Sequence, residues 1–115
     1  MTLQELYEKT GGDYESALGR FRDETRVRRF ALMFLQDGTM AQLKQAVACD
    51  DREQAFHMAH TLKGLALNMS FDRLAASSSA LTEQLRSGEE PADEALYAAV
   101  AADHGALVEA LGKLA

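Results

Sequence analysis

Ala59-His60-Thr61-Leu62-Lys63-Gly64 lies within a stretch, about Asp51 to Met69, whose apolar residues recur at helical spacing. We place His60 at zero on a wheel of about 100° per residue. Ala55, Met58, Ala59, Leu62, Leu65, Ala66 and Met69 then fall on the opposite side and predict a core stripe. Glu53, Phe56, His57, Lys63, Gly64 and Leu67 share the side of His60. His60 is therefore expected to face solvent, with a glycine one turn above it and a lysine beside it. Gly64 stands out, because a glycine within a helix costs roughly 0.5–1 kcal/mol relative to alanine. Nothing local requires a positive φ there, so something gains from the lack of a side chain next to the imidazole.

The neighbouring segments read as helices too. Upstream, Leu3, Leu6 and Tyr7 suggest a short opening helix, stopped by Thr10-Gly11-Gly12-Asp13. Asp13 is a plausible N-cap for a second short piece, Tyr14 to Phe21. Val27, Phe30, Ala31, Phe34 and Leu35 give the segment from Glu24 to Gln36 a strong helical period. Arg20, Arg22, Arg26, Arg28 and Arg29 crowd this region. They read as a solvated face with ion pairs to Asp23 and Glu24, or alternatively as a basic lip for an acidic partner. Asp37-Gly38-Thr39 is a stop followed by a cap, and Met40 to Ala48 is a short helix. Asp50 and Glu53 have capping-box spacing and launch the His60 helix.

Downstream, Ser70 is expected to cap a helix from Phe71 to Arg86, with Leu74, Ala75, Ser78, Leu81 and Leu85 inward. Ser77, Ser78 and Ser79 are small enough to let this helix approach the His60 helix closely. Ser87-Gly88 ends it. Pro91 suits the first position of a final helix, about Ala92 to Leu114, with a seam of Leu96, Val100, Leu107, Leu111 and Leu114. Three long helices on short loops, preceded by the helix near 24–36, predict an all-α fold. The expected architecture is an up-down antiparallel four-helix bundle with one or two short N-terminal helices packed at its end.

The whole chain, residues 1–115, reads as one domain. Its net charge of −6 argues against binding a phosphate backbone, and no nucleic-acid partner is expected. No apolar run approaches the length of a membrane span, and Met1 to Thr10 lacks the apolar centre of a signal peptide. The single cysteine, Cys49, rules out an internal disulfide framework and is read as a small buried hydrophobe near a helix end. A cytoplasmic protein is expected.

Several chemistries are missing from the sequence. It has no glycine-rich phosphate loop, no dinucleotide fingerprint, no cysteine pairs for zinc and no Gly-x-Ser-x-Gly elbow. What remains is an accessible imidazole, a nucleophile near neutral pH that can form covalent intermediates. A phosphoryl group placed on it would add charge that Lys63 can partly neutralise, and Gly64 would leave it room. Phe56 and Leu67 sit at about −40° and −20° and flank His60 with apolar surface, as a protein-docking face requires. A helical adaptor that uses Phe56 and Leu67 without any chemistry at His60 also fits these residues. Glu53, His57 and His60 share a face as metal ligands would, but no further ligand is obvious and Lys63 would repel a cation.

At His60-x-x-Lys63-Gly64 the chain resembles the histidine-containing phosphotransfer (HPt) domain family, and the resemblance extends well beyond this site. Asn68 follows eight residues after His60, where that family often has asparagine. Leu74-Ala75 and the Leu81 to Gly88 stretch resemble its next helix, and Gly11-Gly12-Asp13 resembles its entry to the first long helical region. The chain departs from the family pattern in its bulky Leu65 and Leu67, in Ser70 where glycine is common, and in a longer Tyr14 to Arg29 segment. Leu65 is expected to affect packing only, whereas Leu67 bears on partner identity.

The resemblance implies an intermediary of a His–Asp phosphorelay. His60 would accept a phosphoryl group from a receiver-domain aspartyl phosphate and pass it to another receiver. Lys63 would give electrostatic support, Gly64 access, and Phe56, His57, Leu67 and Asn68 would dock the partner. The implied partners are response-regulator receiver domains, a hybrid histidine kinase, or both. The chain would bind no cofactor or metal itself, since the magnesium ion belongs to the receiver. A monomer without kinase activity of its own is expected, and a chain opening at Met1 suggests a diffusible carrier.

Overall fold

The structure is a computed structural model that describes residues 1–114. Among them are seven α-helices and no strand: α1 Leu3–Thr10, α2 Tyr14–Phe21, α3 Glu24–Leu35, α4 Thr39–Ala48, α5 Arg52–Met69, α6 Asp72–Leu85 and α7 Glu94–Leu114. They build a rod of 43 × 23 × 19 Å. α5, α6 and α7 run up and down along it. The fourth position of the bundle is shared, with α4 packed along the first part of α5 and α3 packed against α5 and α7. The chain breaks between α3 and α4 at Gln36-Asp37-Gly38, where the Asp37 carboxylate accepts the Thr39 amide at 2.8 Å.

Local chemistry sets each end. Thr2, Asp13, Asp23 and Asp51 are N-caps whose side chains accept an amide of the first turn. The expected capping box of Asp50 and Glu53 is not formed. Asp51 does the capping, accepting from the Gln54 amide at 3.1 Å, while Asp50 takes a positive φ of 54° and binds Arg52. Ser70 likewise does not cap α6. It closes α5 in the left-handed conformation, with φ 57°. Glycine is usual at such a position, which explains why serine stands out there. The Ser70 hydroxyl donates to Ser16 Oγ at 3.0 Å, and its carbonyl accepts the Asp13 amide at 2.9 Å. The last helix starts at Glu94 rather than Ala92. Asp93 accepts the Leu96 amide at 2.9 Å and leaves Pro91 in the loop. Cys49 is exposed rather than buried, because it lies beyond the last turn of α4.

The core runs through all seven helices and includes Leu3, Leu6, Tyr7, Val27, Leu43, Leu62, Leu74, Leu81, Leu107 and Leu111. Ser78 is fully buried on α6, the helix packed most extensively on α5. Leu65 and Met58, expected opposite His60 in the core, are only half-buried. The short helices sit at the α5–α6 turn. Tyr7 packs against Tyr14 and Phe71 with ring centroids 5.9 and 5.3 Å apart, and its hydroxyl donates to the Met69 carbonyl at 2.7 Å. Gly12 lies so close that a Cβ would come within 2.9 Å of the Ser70 carbonyl oxygen. The Gly11-Gly12-Asp13 turn therefore straps the N-terminal helices to the turn that ends α5.

The arginine cluster is dispersed by this packing. Arg20 donates to the Leu67 and Asn68 carbonyls at 2.8 and 2.6 Å, Arg28 reaches the Leu114 carbonyl, and Arg26 pairs with Asp23. No helix is long and apolar enough, among the described residues, to cross a membrane.

Candidate functional site

α5 places His60 at the middle of its length, and α3, α4 and α6 hold α5 along its buried face. Ala59 and Leu62, on either side of His60 in sequence, are buried and fix the helix rotation. His60 is consequently exposed. Its ring lies nearly parallel to that of Phe56, at 12° and 6.2 Å between centroids. Phe56 is half-buried and carries the Arg86 guanidinium over its ring at 5.5 Å from the centroid. Arg86 is held in turn by Glu83 through two hydrogen bonds of 2.7 and 3.0 Å.

The second wall of the site is thus α6. The Arg86 hydrogen bonds hold the Glu83 carboxyl below the usual carboxylate range, and the positive charges of Arg86, Lys63 and His60 act in the same direction. This places Glu83 within electrostatic reach of the imidazole and the lysine. The i, i+3 spacing of Glu83 and Arg86 is visible in the sequence. Their position beside Phe56 and His60 depends on how α6 lies against α5, which periodicity alone does not give.

Lys63 is half-buried and makes no ion pair among the described residues. Its ammonium is available to a charge arriving at His60. Gly64 is exposed, and a Cβ built there would meet nothing within 4 Å. No contact within the chain accounts for this glycine. His57 is exposed and lies 3.9 Å from Glu53, a weak link that requires a protonated ring. Among the described residues no group of three His, Cys, Asp or Glu side chains is placed to hold a metal ion. The third histidine, His104 on α7, packs against Phe34 of α3.

Leu67 is 51% exposed and Asn68 is also exposed, about one turn beyond Gly64. Arg20, which grips the carbonyls of both residues, closes the end of α5 and keeps this part of the helix in place. Sequence reasoning did not assign that role. The only available signal was an arginine in the last turn of α2, and its partner lies 47 residues away.

The site is therefore an imidazole presented at mid-helix on a rigid scaffold. An aromatic ring flanks it, an unpaired lysine neighbours it, and open space lies on its glycine side. No curated protein and no solved structure matches the chain significantly. The family model described as "Hpt domain" matches residues 17–113, which contain this whole site, and the chain belongs to the Hpt domain family.

Proposed function

We propose that His60 is the phosphoryl carrier of this Hpt domain, in a relay between receiver domains. Membership of the family indicates histidine phosphotransfer in two-component signalling. The observation that carries the assignment to His60 is its exposure beside an unpaired Lys63 and an open Gly64. Of the other two histidines, His57 faces Glu53 and His104 is partly buried against Phe34.

Phosphoryl transfer asks little covalent chemistry of the protein and depends on in-line positioning and charge neutralisation. The lone pair of the outer ring nitrogen, Nε2, forms the N–P bond as the P–O bond to the receiver's aspartate breaks. The bonding pair leaves with the aspartate carboxylate, and Nδ1 keeps its proton. The reverse reaction passes the group to a second receiver. Lys63 screens the charge that arrives on His60, and Phe56 limits the swing of the ring. The chain acts as a monomeric, cytoplasmic carrier without a cofactor, and the magnesium ion sits on the receiver.

The test is incubation with a phosphorylated receiver domain. Acid-labile, base-stable label is expected on the wild-type chain and is expected to be absent from His60→Gln. Label retained by His60→Gln overturns the assignment. Equal downstream output from the two chains favours an adaptor that docks without chemistry.

A further inference from the structure

We propose that Glu83 keeps the phosphoryl group on His60 labile. Its carboxylate, anchored beside the imidazole by Arg86, raises the free energy of phosphorylated His60 and favours passage of the group to a receiver. This rests on the reading of His60 as the phosphoryl carrier.

The register of α5 and α6 brings the two residues together. These helices are antiparallel neighbours across Ser70-Phe71 and are the most extensively packed pair among the described residues. The Arg86 guanidinium lies over the Phe56 ring, 5.5 Å from its centroid, which sets the end of α6 level with Phe56. From Phe56 to His60 the path along α5 is about 6 Å, and from Arg86 back to Glu83 the path along α6 is about 4.5 Å. Glu83 is therefore level with His60 across the groove between the helices. Arg86 donates to both Glu83 oxygens, at 2.7 and 3.0 Å, so the carboxylate is tied in place although it is exposed. Glu53, a carboxylate on the His60 side of α5, instead faces His57 at 3.9 Å and lies about 10 Å along the helix from His60.

Electrostatics gives this arrangement its sign. Glu83 is held below the usual carboxylate range by the Arg86 hydrogen bonds first, with the charges of Arg86, Lys63 and His60 acting the same way, so it is ionised at neutral pH. The interaction is mutual. A carboxylate that a positive His60 stabilises is destabilised once His60 carries negative charge. A phosphoryl group brings roughly two negative charges. Lys63 draws that charge in, and Glu83 pushes against it. With Lys63 alone the phosphorylated chain would be the deeper well, and the group would leave it less readily. The opposed pair holds the transfer nearer to balance, as a carrier that both accepts and donates requires.

The experiment is a competition between full chains. Wild type carrying labelled phosphate on His60 is mixed with an equal amount of a variant distinguished by a size tag. Magnesium and a trace of a receiver domain of the source organism that accepts this label are added. The receiver's aspartate takes the phosphoryl group from Nε2 and returns it to either chain. The label therefore settles by the free energies of the two phosphorylated chains, and docking contacts cancel from the final ratio. At about 0.1 M salt, label is expected to favour Glu83→Gln over the wild type about threefold. That is the effect of one unit charge on a doubly charged group across a helix spacing of about 8–10 Å in screened water. Glutamine still accepts a hydrogen bond from Arg86, so the charge is what changes. Arg86→Gln, which leaves the Glu83 charge unshielded, is expected to lose label to the wild type. At about 1 M salt both ratios are expected to approach one. An even split with Glu83→Gln at low salt, or a preference for the wild type, overturns the proposal. A preference that persists undiminished at high salt also overturns it. So does label gained by both variants, because each then acts through the broken ion pair and not through charge. A His60→Gln chain that takes up label refutes the carrier reading independently of Glu83.

Discussion

Gly64 shows how a residue can be informative through what it lacks. A Cβ there would touch nothing in the chain, so the helix bears the conformational cost of glycine without any internal return. Gly64→Ala is therefore expected to stabilise the protein by roughly 0.5–1 kcal/mol in urea unfolding. Gly64→Leu is expected to slow phosphotransfer while circular dichroism shows unchanged helix content. A destabilised alanine variant would mean that the fold itself needs the glycine, and an unimpaired leucine variant would remove the access argument. Open space alone does not mark a functional glycine, since Gly105 and Gly112 on α7 have it too. The distinction is that Gly64 lies one turn from an exposed imidazole, and that was legible from helical spacing. The misread residues share a different feature. Ser70, Cys49 and Asp50 sit at helix ends, where a shift of one position exchanges a cap for a loop.

α7 carries the one histidine that the site does not use. His104 is half-buried, with its ring 5.8 Å from Phe34, and burial pushes its pKa down while the Asp37 carboxylate pulls more weakly the other way. The folded state thus favours the neutral ring. A depressed folded-state pKa gives stability that is full above the unfolded value of about 6.5 and is lost as pH falls through the folded value. Asp50 and Glu83 are held low by Arg52 and Arg86, so their contributions are lost only at pH below the usual carboxylate range. The two windows are separate. The urea midpoint of the wild type is expected to fall between about pH 7 and pH 5, and His104→Leu is expected to flatten that interval. An identical pH profile for the variant would assign the dependence to other groups. Helices and their buried faces were readable because the 3.6-residue period repeats over many positions, as in Ala55, Ala59, Leu62 and Ala66. The pairing of elements was readable only where loops are short. α5 and α6 had to be antiparallel neighbours across Ser70-Phe71, whereas the division of the fourth bundle position between α3 and α4 depends on packing that no local pattern encodes. For the same reason His60, Lys63 and Gly64 emerged from one helix, while Glu83 and Arg86 required the relation between helices.

At the scale of the whole molecule, the family match and the folded unit do not coincide. The match covers residues 17–113, and α1 lies outside it. Yet Leu3, Leu6 and Tyr7 are fully buried, and α1 packs on α7 as well as on α2. The Tyr7 hydroxyl and the Gly11 carbonyl engage Met69 and Arg73, on either side of the turn between α5 and α6. Burying each such side chain contributes about 1.5–3 kcal/mol. Three of them amount to roughly 5 kcal/mol or more, a large part of the 5–15 kcal/mol that usually stabilises a domain. A chain beginning at Tyr14 would also expose the apolar surface of α7 that α1 covers. Its thermal midpoint is expected to fall by tens of degrees, since about 1 kcal/mol corresponds to 4–8 °C in a domain near this size. His60 lies on the outer face of α5, away from α1, so the truncated chain is expected to accept phosphoryl label at low temperature wherever circular dichroism shows it folded. A truncated chain that melts within about 5 °C of the full one would show α1 to be an appendage. Loss of labelling in a chain that remains folded would show that the strap at the end of α5 positions the imidazole as well as stabilising the bundle.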